Sequence, residues 1–243
     1  MNFVRMEWTS LEGANLRNVY LEDASLFRSI FRNANMMMAN LSRANLANSD
    51  LRSTDLLTAI LESANLSSSD LNNANLRNAN LRNATLAEAH LDNVDFQGAV
   101  MFKVNLQDAN LDGSNFGGSM LKEASFTAAV IRHANFRNAD LRMADFRGAI
   151  LDVVNFQAAD LRRANFTGAQ MQNVILRSAN LCGTIMPDGN IRICARPEDE
   201  WNEPIPLANT PPLNSLPIPV RPSLYFDVPD ATTTPANLRK TLL

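Results

Sequence analysis

The chain has 243 residues, of which 46% are hydrophobic and 19% are charged, and its formal net charge is −3. This composition excludes an intrinsically disordered chain, because the apolar share is ordinary and the net charge is small. The charge also excludes a strongly basic protein that coats nucleic acid, and two cysteines are too few for a disulfide scaffold or a four-cysteine zinc site.

The N-terminal segment carries no apolar run of signal-peptide length, and no stretch of about 18 apolar residues occurs further along. We therefore expect a cytoplasmic protein that does not enter a membrane. In that compartment we expect Cys182 and Cys194 to be free thiols, because cytosolic thiols are kept reduced; a bridge between them is the alternative.

A five-residue repeat runs from Met6 to Met186 without a break. Every fifth position, here called the central position, holds Leu, Phe, Met or Ile at all 37 places. The residue two positions earlier is small, and it is Ala at 23 of those places. The residue between them is most often Asn or Asp, as in Ala14-Asn15-Leu16. Such regularity indicates a repeat architecture.

A period of five fits neither regular secondary structure. On a helix each repeat would rotate by about 140°, and on a strand the odd spacing would send alternate side chains to opposite faces. A turn in every unit instead directs all central residues to one axis. Gly or Asn often follows two positions after the central residue, where a type II turn needs positive φ. Because Met143 and Val153 also occupy that position, we expect that not every turn is type II.

Tandem A(D/N)LXX units such as Ala134-Asn135-Phe136 resemble the pentapeptide-repeat family over about residues 4–188. The resemblance implies an all-β fold, a right-handed quadrilateral β-helix (β-solenoid) of about nine 20-residue coils. We place this β-helix at 1–188, followed at 189–243 by a capping strand and a Pro-rich, mostly irregular tail. Folding the repeat on 20 residues also predicts two interior columns of phenylalanine, Phe96, Phe116, Phe136, Phe156 and Phe126, Phe146, Phe166.

The outward Asn and Asp residues stack in register from coil to coil. We interpret them as side-chain ladders that bond neighbouring backbone, with a binding surface as the alternative. Apolar residues replace them in the N-terminal half and predict one exposed cluster, the N-terminal patch, made of Tyr20, Met37, Met38, Leu57 and Ile60. Exposed apolar patches mark partner sites, so this patch predicts either a protein partner or a cover formed by the tail.

Cations also collect on one side of the predicted coil. We call this row the basic stripe, and it consists of Arg82, Lys103, Lys122, Arg142, Arg162 and Arg163. Glu123 interrupts the stripe, and Asp140 and Asp160 flank it. Binding of nucleic acid or another anionic ligand would need a stronger excess of positive charge, so a self-compensating solvated face is the favoured interpretation.

All 11 prolines lie at or after Pro187. A proline inside the solenoid would delete a backbone donor of the ladder, which explains this boundary. Pro187-Asp188-Gly189 predicts a turn, and the residues from Ile191 to Cys194 predict a last strand over the final coil. The tail beyond is Pro-rich but also apolar, which favours a strap laid on the rod over a loose tether.

These features predict a non-enzymatic scaffold for protein–protein binding. His90 and His133 are the only histidines, and neither lies in a catalytic or metal-binding constellation. We expect no catalytic residue, cofactor or metal. The expected partner is another protein, or a second copy that binds through an open end of the solenoid or through the tail; nucleic acid and membranes are not expected.

One branch of the family protects DNA gyrase by resembling duplex DNA in shape and charge. This function is the alternative for the present chain. A DNA mimic should be markedly acidic, whereas residues 1–186 contain 17 Lys and Arg against 18 Asp and Glu, a net charge of −1. The charge balance therefore favours the scaffold.

Overall fold

The computed structural model describes residues 4–194, which wind into a four-sided coil. The residue before each central position pairs in parallel with the residue 20 positions further on, as Asn15 does with Asn35 and Asn35 with Asp55. One coil therefore contains four five-residue units, and each unit supplies a short side and a corner. The predicted all-β quadrilateral β-helix is confirmed. The tail beyond Cys194, with its predicted strap, lies outside the described residues.

Most rungs of the ladder are single residue pairs, because each side of the coil is short. Three longer strands share one face: β1 (Val130–Arg132), β2 (Ile150–Asp152) and β3 (Gln170–Gln172). They form a parallel sheet in the order β1-β2-β3, in which Ile150 pairs with Val130 on one side and with Gln170 on the other.

The unit 36–40 shows how the fold uses its backbone donors. Three N–H groups bond to carbonyls of neighbouring coils: Met36 to Asp55 at 2.8 Å, Met38 to Leu57 at 3.0 Å and Asn40 to Val19 at 2.9 Å. The fourth closes the turn, from Ala39 to the Met36 carbonyl at 3.0 Å. The fifth, on Met37, donates to the side-chain Oδ1 of Asn35 at 3.2 Å. All five donors of the unit are thus satisfied.

The Asn and Asp ladders are therefore part of the backbone bonding, as predicted. Their oxygens accept the one N–H that no backbone carbonyl reaches, and their amides bond along the ladder. Asn135 Nδ2 donates to Asn115 Oδ1 at 2.9 Å, and Asn115 Nδ2 donates to Asp95 Oδ1 at 3.0 Å. Asn and Asp suit this position because their short side chains reach the backbone N–H two residues further on, in the adjoining turn.

The same bonding pattern explains where the prolines begin. A proline at most positions of a unit would delete a backbone–backbone bond, but the position after the central residue bonds only to a side chain. Pro187 occupies that position, directly after the central residue Met186, and its carbonyl still accepts the N–H of Gly168 at 3.0 Å. The ladder position before it holds Ile185 instead of Asn, which suits a residue without an N–H.

Positive φ recurs at every fifth residue from Trp8 to Gly183. Met143 (φ +61°) and Val153 (φ +55°) share it, so the conformation does not depend on Gly or Asn. The Met143 turn is also closed by a bond from the Ala144 N–H to the Leu141 carbonyl at 3.0 Å. Met143 therefore keeps the common turn. At Val153 the chain instead continues as strand β2 through Asp152, and the bonds found within residues 4–194 include none from the Val154 N–H to the Leu151 carbonyl, so the expectation that the turns are not all of one type agrees with the structure there.

The interior is filled by the central residues and the alanines, which are buried throughout the middle coils. The two predicted phenylalanine columns are present. Phe116 and Phe136 stack with ring centroids 4.6 Å apart and planes 2° apart, and Phe126 meets Phe136 edge-on at 5.7 Å. Both arrangements are favourable for aromatic rings. Between residues 21 and 169 the core is thus a continuous packed column of Leu, Phe, Met, Ile and Ala side chains.

Polar residues at the alanine position are also accommodated inside the coil. The hydroxyl of Ser49 donates to the Leu26 carbonyl at 2.8 Å, and that of Thr54 donates to the Leu51 carbonyl at 2.7 Å. These buried groups are hydrogen-bonded, so they cost little.

The last coil is closed by a chain reversal. Ile191 pairs antiparallel with Ile185, and the N–H of Arg192 donates to the Thr184 carbonyl at 2.8 Å. The reversal brings Cys194 beside Cys182, and the two form a disulfide with Cα atoms 4.4 Å apart. The expectation of two free thiols is therefore wrong, because it considered the compartment and not the turn that places the cysteines together.

Candidate functional site

The N-terminal patch occupies two neighbouring columns of the coil. Tyr20 is 81% exposed, Met38 48% and Ile60 40%. Met37 and Leu57 are half-buried and stack on one corner. Asn40 lies between Tyr20 and Ile60 in their ladder, so a polar rung divides the apolar surface. The predicted single patch is therefore interrupted: Met37, Met38 and Leu57 lie together on one corner, whereas Asn40 separates Tyr20 from Ile60 in the neighbouring ladder column.

A second aromatic cluster on the first two coils was missed by the sequence analysis. Trp8 is 66% exposed, and its ring meets that of Phe27 edge-on at 6.3 Å. The guanidinium of Arg28 lies 4.8 Å from the Trp8 ring centroid and 5.1 Å from that of Phe27, a cation–π geometry. The 20-residue register could have predicted this contact, since Trp8 and Arg28 are 20 residues apart and share one corner column.

The basic stripe follows a single corner, and the flanking carboxylates partly neutralise it. Arg142 lies 2.7 Å from Asp140 and 3.8 Å from Asp160, and Arg162 lies 2.6 Å from Asp160. Burial alone would raise the pKa of Asp140, but hydrogen bonds from Arg142 hold that pKa below its ordinary value. These contacts neutralise part of the positive charge of the stripe.

The stripe is also more apolar than its charges suggest. The ring of Phe102 lies beneath two ammonium groups, 5.0 Å from Lys103 Nζ and 5.8 Å from Lys122 Nζ. Met143 on the same corner is 48% exposed, and Met120 on the adjoining face is 55% exposed. Cations and apolar side chains therefore alternate along this side.

Both histidines lie near carboxylates, His133 on a different corner and His90 in a ladder column. His133 Nδ1 lies 2.8 Å from Asp112 Oδ1, while His90 pairs in the ladder with Asp70. Burial and the charge of Asp112 raise the pKa of Asp92. Within residues 4–194, no group of three or more His, Cys, Asp or Glu side chains is arranged to hold a metal ion.

A shallow notch of about 350 Å³ interrupts another corner, where two successive glycines leave the backbone bare. It is lined by Gln97, Asn115, Gly117, Gly118, Asn135, Arg137 and Asn138. The Asn115 and Asn135 amides are already bonded to each other. The notch is open and polar, and its lining contains no nucleophile beside a general base.

Residues 4–194 contain no helix with the length and apolar character needed to span a membrane.

Comparison with known proteins identifies the repeat. A sequence profile described as pentapeptide repeats matches the chain in 8 copies, over residues 5–37, 39–78, 79–118, 119–156 and 149–186. HetL, a pentapeptide repeat protein involved in heterocyst differentiation regulation in the cyanobacterium Nostoc, has a similar solved structure. It is 32% identical, with a TM-score of 0.51 and coverage of 78% of this chain and 90% of HetL. No curated protein matches the chain.

The solved structure of QnrB1, a plasmid-mediated fluoroquinolone resistance protein, is also similar. It is 18% identical, with a TM-score of 0.51 and coverage of 72% of this chain and 92% of QnrB1, a likeness that shows the fold alone. Proteins with this repeat form right-handed quadrilateral β-helices, which agrees with the parallel 20-residue register described above. On the strength of its repeat profile and its likeness to HetL, the chain belongs to the pentapeptide-repeat family.

Proposed function

We propose that this protein is a non-enzymatic scaffold that binds another protein through the N-terminal patch. The observation that carries the proposal is Tyr20, whose side chain is 81% exposed at a ladder position that elsewhere mostly holds Asn or Asp. The Tyr20 backbone pairs with Asn40 in the ladder, but its side chain makes no hydrogen bond within residues 4–194. Tyr is among the residues that carry most binding energy in protein interfaces.

The shape of the rod supports a binding role over a catalytic one. The core is packed with Leu, Phe and Ala, and the notch at Gly117 and Gly118 is shallow and polar. Ligand pockets are concave and mostly apolar, so this surface suits a protein partner better than a small substrate. The ladder also holds the outward side chains in fixed register, which lowers the entropic cost of binding. HetL, a protein of regulation, has the same fold, which supports the same kind of role.

The proposal is tested by restoring the common ladder residue at the patch. The Tyr20→Asn variant removes the exposed ring and keeps a side chain that the ladder accepts. Ile175→Asn is the matched control, because Ile175 is also exposed at a ladder position, at the other end of the rod. Affinity capture with full-length protein should recover a defined binding protein with the wild type and the control, but lose it with Tyr20→Asn.

Direct titration should then show that Tyr20→Asn binds the captured protein about tenfold or more weakly than the wild type, as expected for an interface hot spot. The Ile175→Asn control should bind with the affinity of the wild type. Equal affinity for Tyr20→Asn and for the wild type would contradict the proposal.

A further inference from the structure

The described chain ends on the same corner that carries the basic stripe. Cys182 follows the central residue Leu181 and stacks directly on the stripe, since the N–H of Arg163 donates to the Cys182 carbonyl at 3.0 Å. The disulfide holds Cys194 to Cys182, with Cα atoms 4.4 Å apart. The chain that follows Cys194 therefore starts at the C-terminal end of the stripe.

The stripe keeps a surplus of positive charge after its local contacts are counted. Lys103 and Lys122 share one carboxylate, that of Glu123, at 3.5 and 3.6 Å. Arg142 and Arg162 are paired with Asp140 and Asp160, as described above. Arg82 and Arg163 form no ion pair within residues 4–194. Six cations thus face three carboxylates, which leaves three unmatched positive charges.

The segment that follows Cys194 has the complementary chemistry. Residues 198–203 read Glu-Asp-Glu-Trp-Asn-Glu, with four carboxylates around one tryptophan. The stripe presents unmatched cations together with the exposed thioethers of Met120 and Met143. Carboxylates pair with the unmatched cations, and the indole ring packs well against the methionine thioethers.

The distances allow this pairing. An extended chain spans about 3.5 Å per residue, so Glu198 reaches about 14 Å from Cys194 and Trp201 about 24 Å. Coils lie about 4.8 Å apart, which places Arg163 about 5 Å and Met143 about 10 Å from the position of Cys182 along the rod. Both targets lie within reach of the first residues of the segment.

We propose that the acidic segment 198–203 docks on the basic stripe of its own chain, with its carboxylates on Arg163 and its neighbours and Trp201 against Met143. The segment then supplies the negative charge that the stripe lacks.

Trp201 is a direct reporter, because the chain contains only one other tryptophan, Trp8. In the full-length Trp8→Phe variant all tryptophan fluorescence comes from Trp201. At an ionic strength of about 0.1 M we expect blue-shifted emission and protection from acrylamide, and at about 1 M salt, where screening is much stronger, we expect both to be lost.

Charge reversal identifies the docking surface. In the same background Arg163→Glu should lower the docked fraction by about fivefold, which corresponds to the loss of one exposed ion pair. Adding Glu200→Lys to Arg163→Glu should restore protection. Arg137→Glu is the matched control, since Arg137 is exposed on another corner and should leave Trp201 unchanged.

Three results would overturn the proposal. The first is water-like emission of Trp201 at low salt. The second is an equal response to Arg163→Glu and to the Arg137→Glu control. The third is protection that increases with protein concentration, because a second copy would then be the occupant of the stripe.

Discussion

The backbone N–H of Gln157 donates a hydrogen bond to the side-chain Oδ1 of Asn155 at 2.9 Å. The two residues lie on either side of the buried Phe156, and both face outward. The same bond recurs in other units of the repeat, for example from Gln97 to Asp95. It gives the Asn of the repeat a structural role that can be measured.

Asn155→Ala should lower the free energy of unfolding by about 1 kcal/mol, because the Gln157 N–H loses its acceptor. Asn155→Asp should be close to neutral, since a carboxylate oxygen accepts the same bond, as Asp95 does for Gln97 at 3.0 Å. Urea unfolding of both variants measures the difference. An Asn155→Asp variant as unstable as Asn155→Ala would refute the bonding role.

Leu141→Arg should cost more than about 3 kcal/mol, because it buries an unpaired charge in the packed interior. Leu141 is fully buried, whereas Arg137 in the preceding unit is exposed. Arg137→Glu should therefore change stability by no more than about 0.5 kcal/mol. Thermal and urea unfolding compare the two, and similar losses would mean that the assignment of inward and outward positions is incorrect.

The oxidised protein should show no reactive thiol under native conditions, and two after reduction and unfolding. Cys194→Ser should speed amide hydrogen exchange at Arg192, whose N–H bonds to Thr184, because the chain reversal loses its covalent tie. Exchange in the middle coils, for example at Leu141, serves as the internal control. Rapid alkylation of both cysteines in the oxidised, folded protein would contradict the bridge.

Stability should fall below about pH 4. Hydrogen bonds from Arg52 hold the pKa of Asp50 below its ordinary value, so its contribution is present above about pH 4 and is lost as acid protonates the folded carboxylate. Asp50→Asn should flatten this decline in stability, measured by urea unfolding.

Asp92 is the contrasting case, because burial raises its pKa and its ionisation costs stability as the pH rises. Asp92→Asn should therefore gain stability relative to wild type at pH 7 and not at pH 3, in urea unfolding.

The protein should leave DNA gyrase unprotected. In a supercoiling assay inhibited by a quinolone, adding the full-length protein at up to tens of micromolar should not restore activity. The physical reason is charge, because the rod carries nearly equal numbers of cations and carboxylates and one of its corners is basic. Restored supercoiling that depends on protein concentration would favour the DNA-mimic alternative.

The regular spacing of the sequence was enough to predict a turn in every unit and to assign the inward residues, because neither a helix nor a flat strand accommodates a period of five. The four-sided coil of 20 residues was implied by the resemblance to the pentapeptide-repeat family, and folding the repeat on that length predicts the two phenylalanine columns. The sequence also placed the end of the ladder at Pro187, since proline lacks the donor that almost every position of a unit uses. Even the turn at Met143 follows this pattern more closely than its side chain suggested.

The tertiary structure decided what depends on chain reversal or on side-chain positions across coils. The turn after Met186 brings Cys194 to Cys182, which spacing alone did not show. Contacts between coils bring Arg28 over Trp8, and Asn40 divides the N-terminal patch. The repeat fixes the backbone path, but the rotamers of long side chains decide whether a stripe cation contacts a carboxylate. The folded chain was therefore needed to distinguish Arg162, which pairs with Asp160, from Arg163.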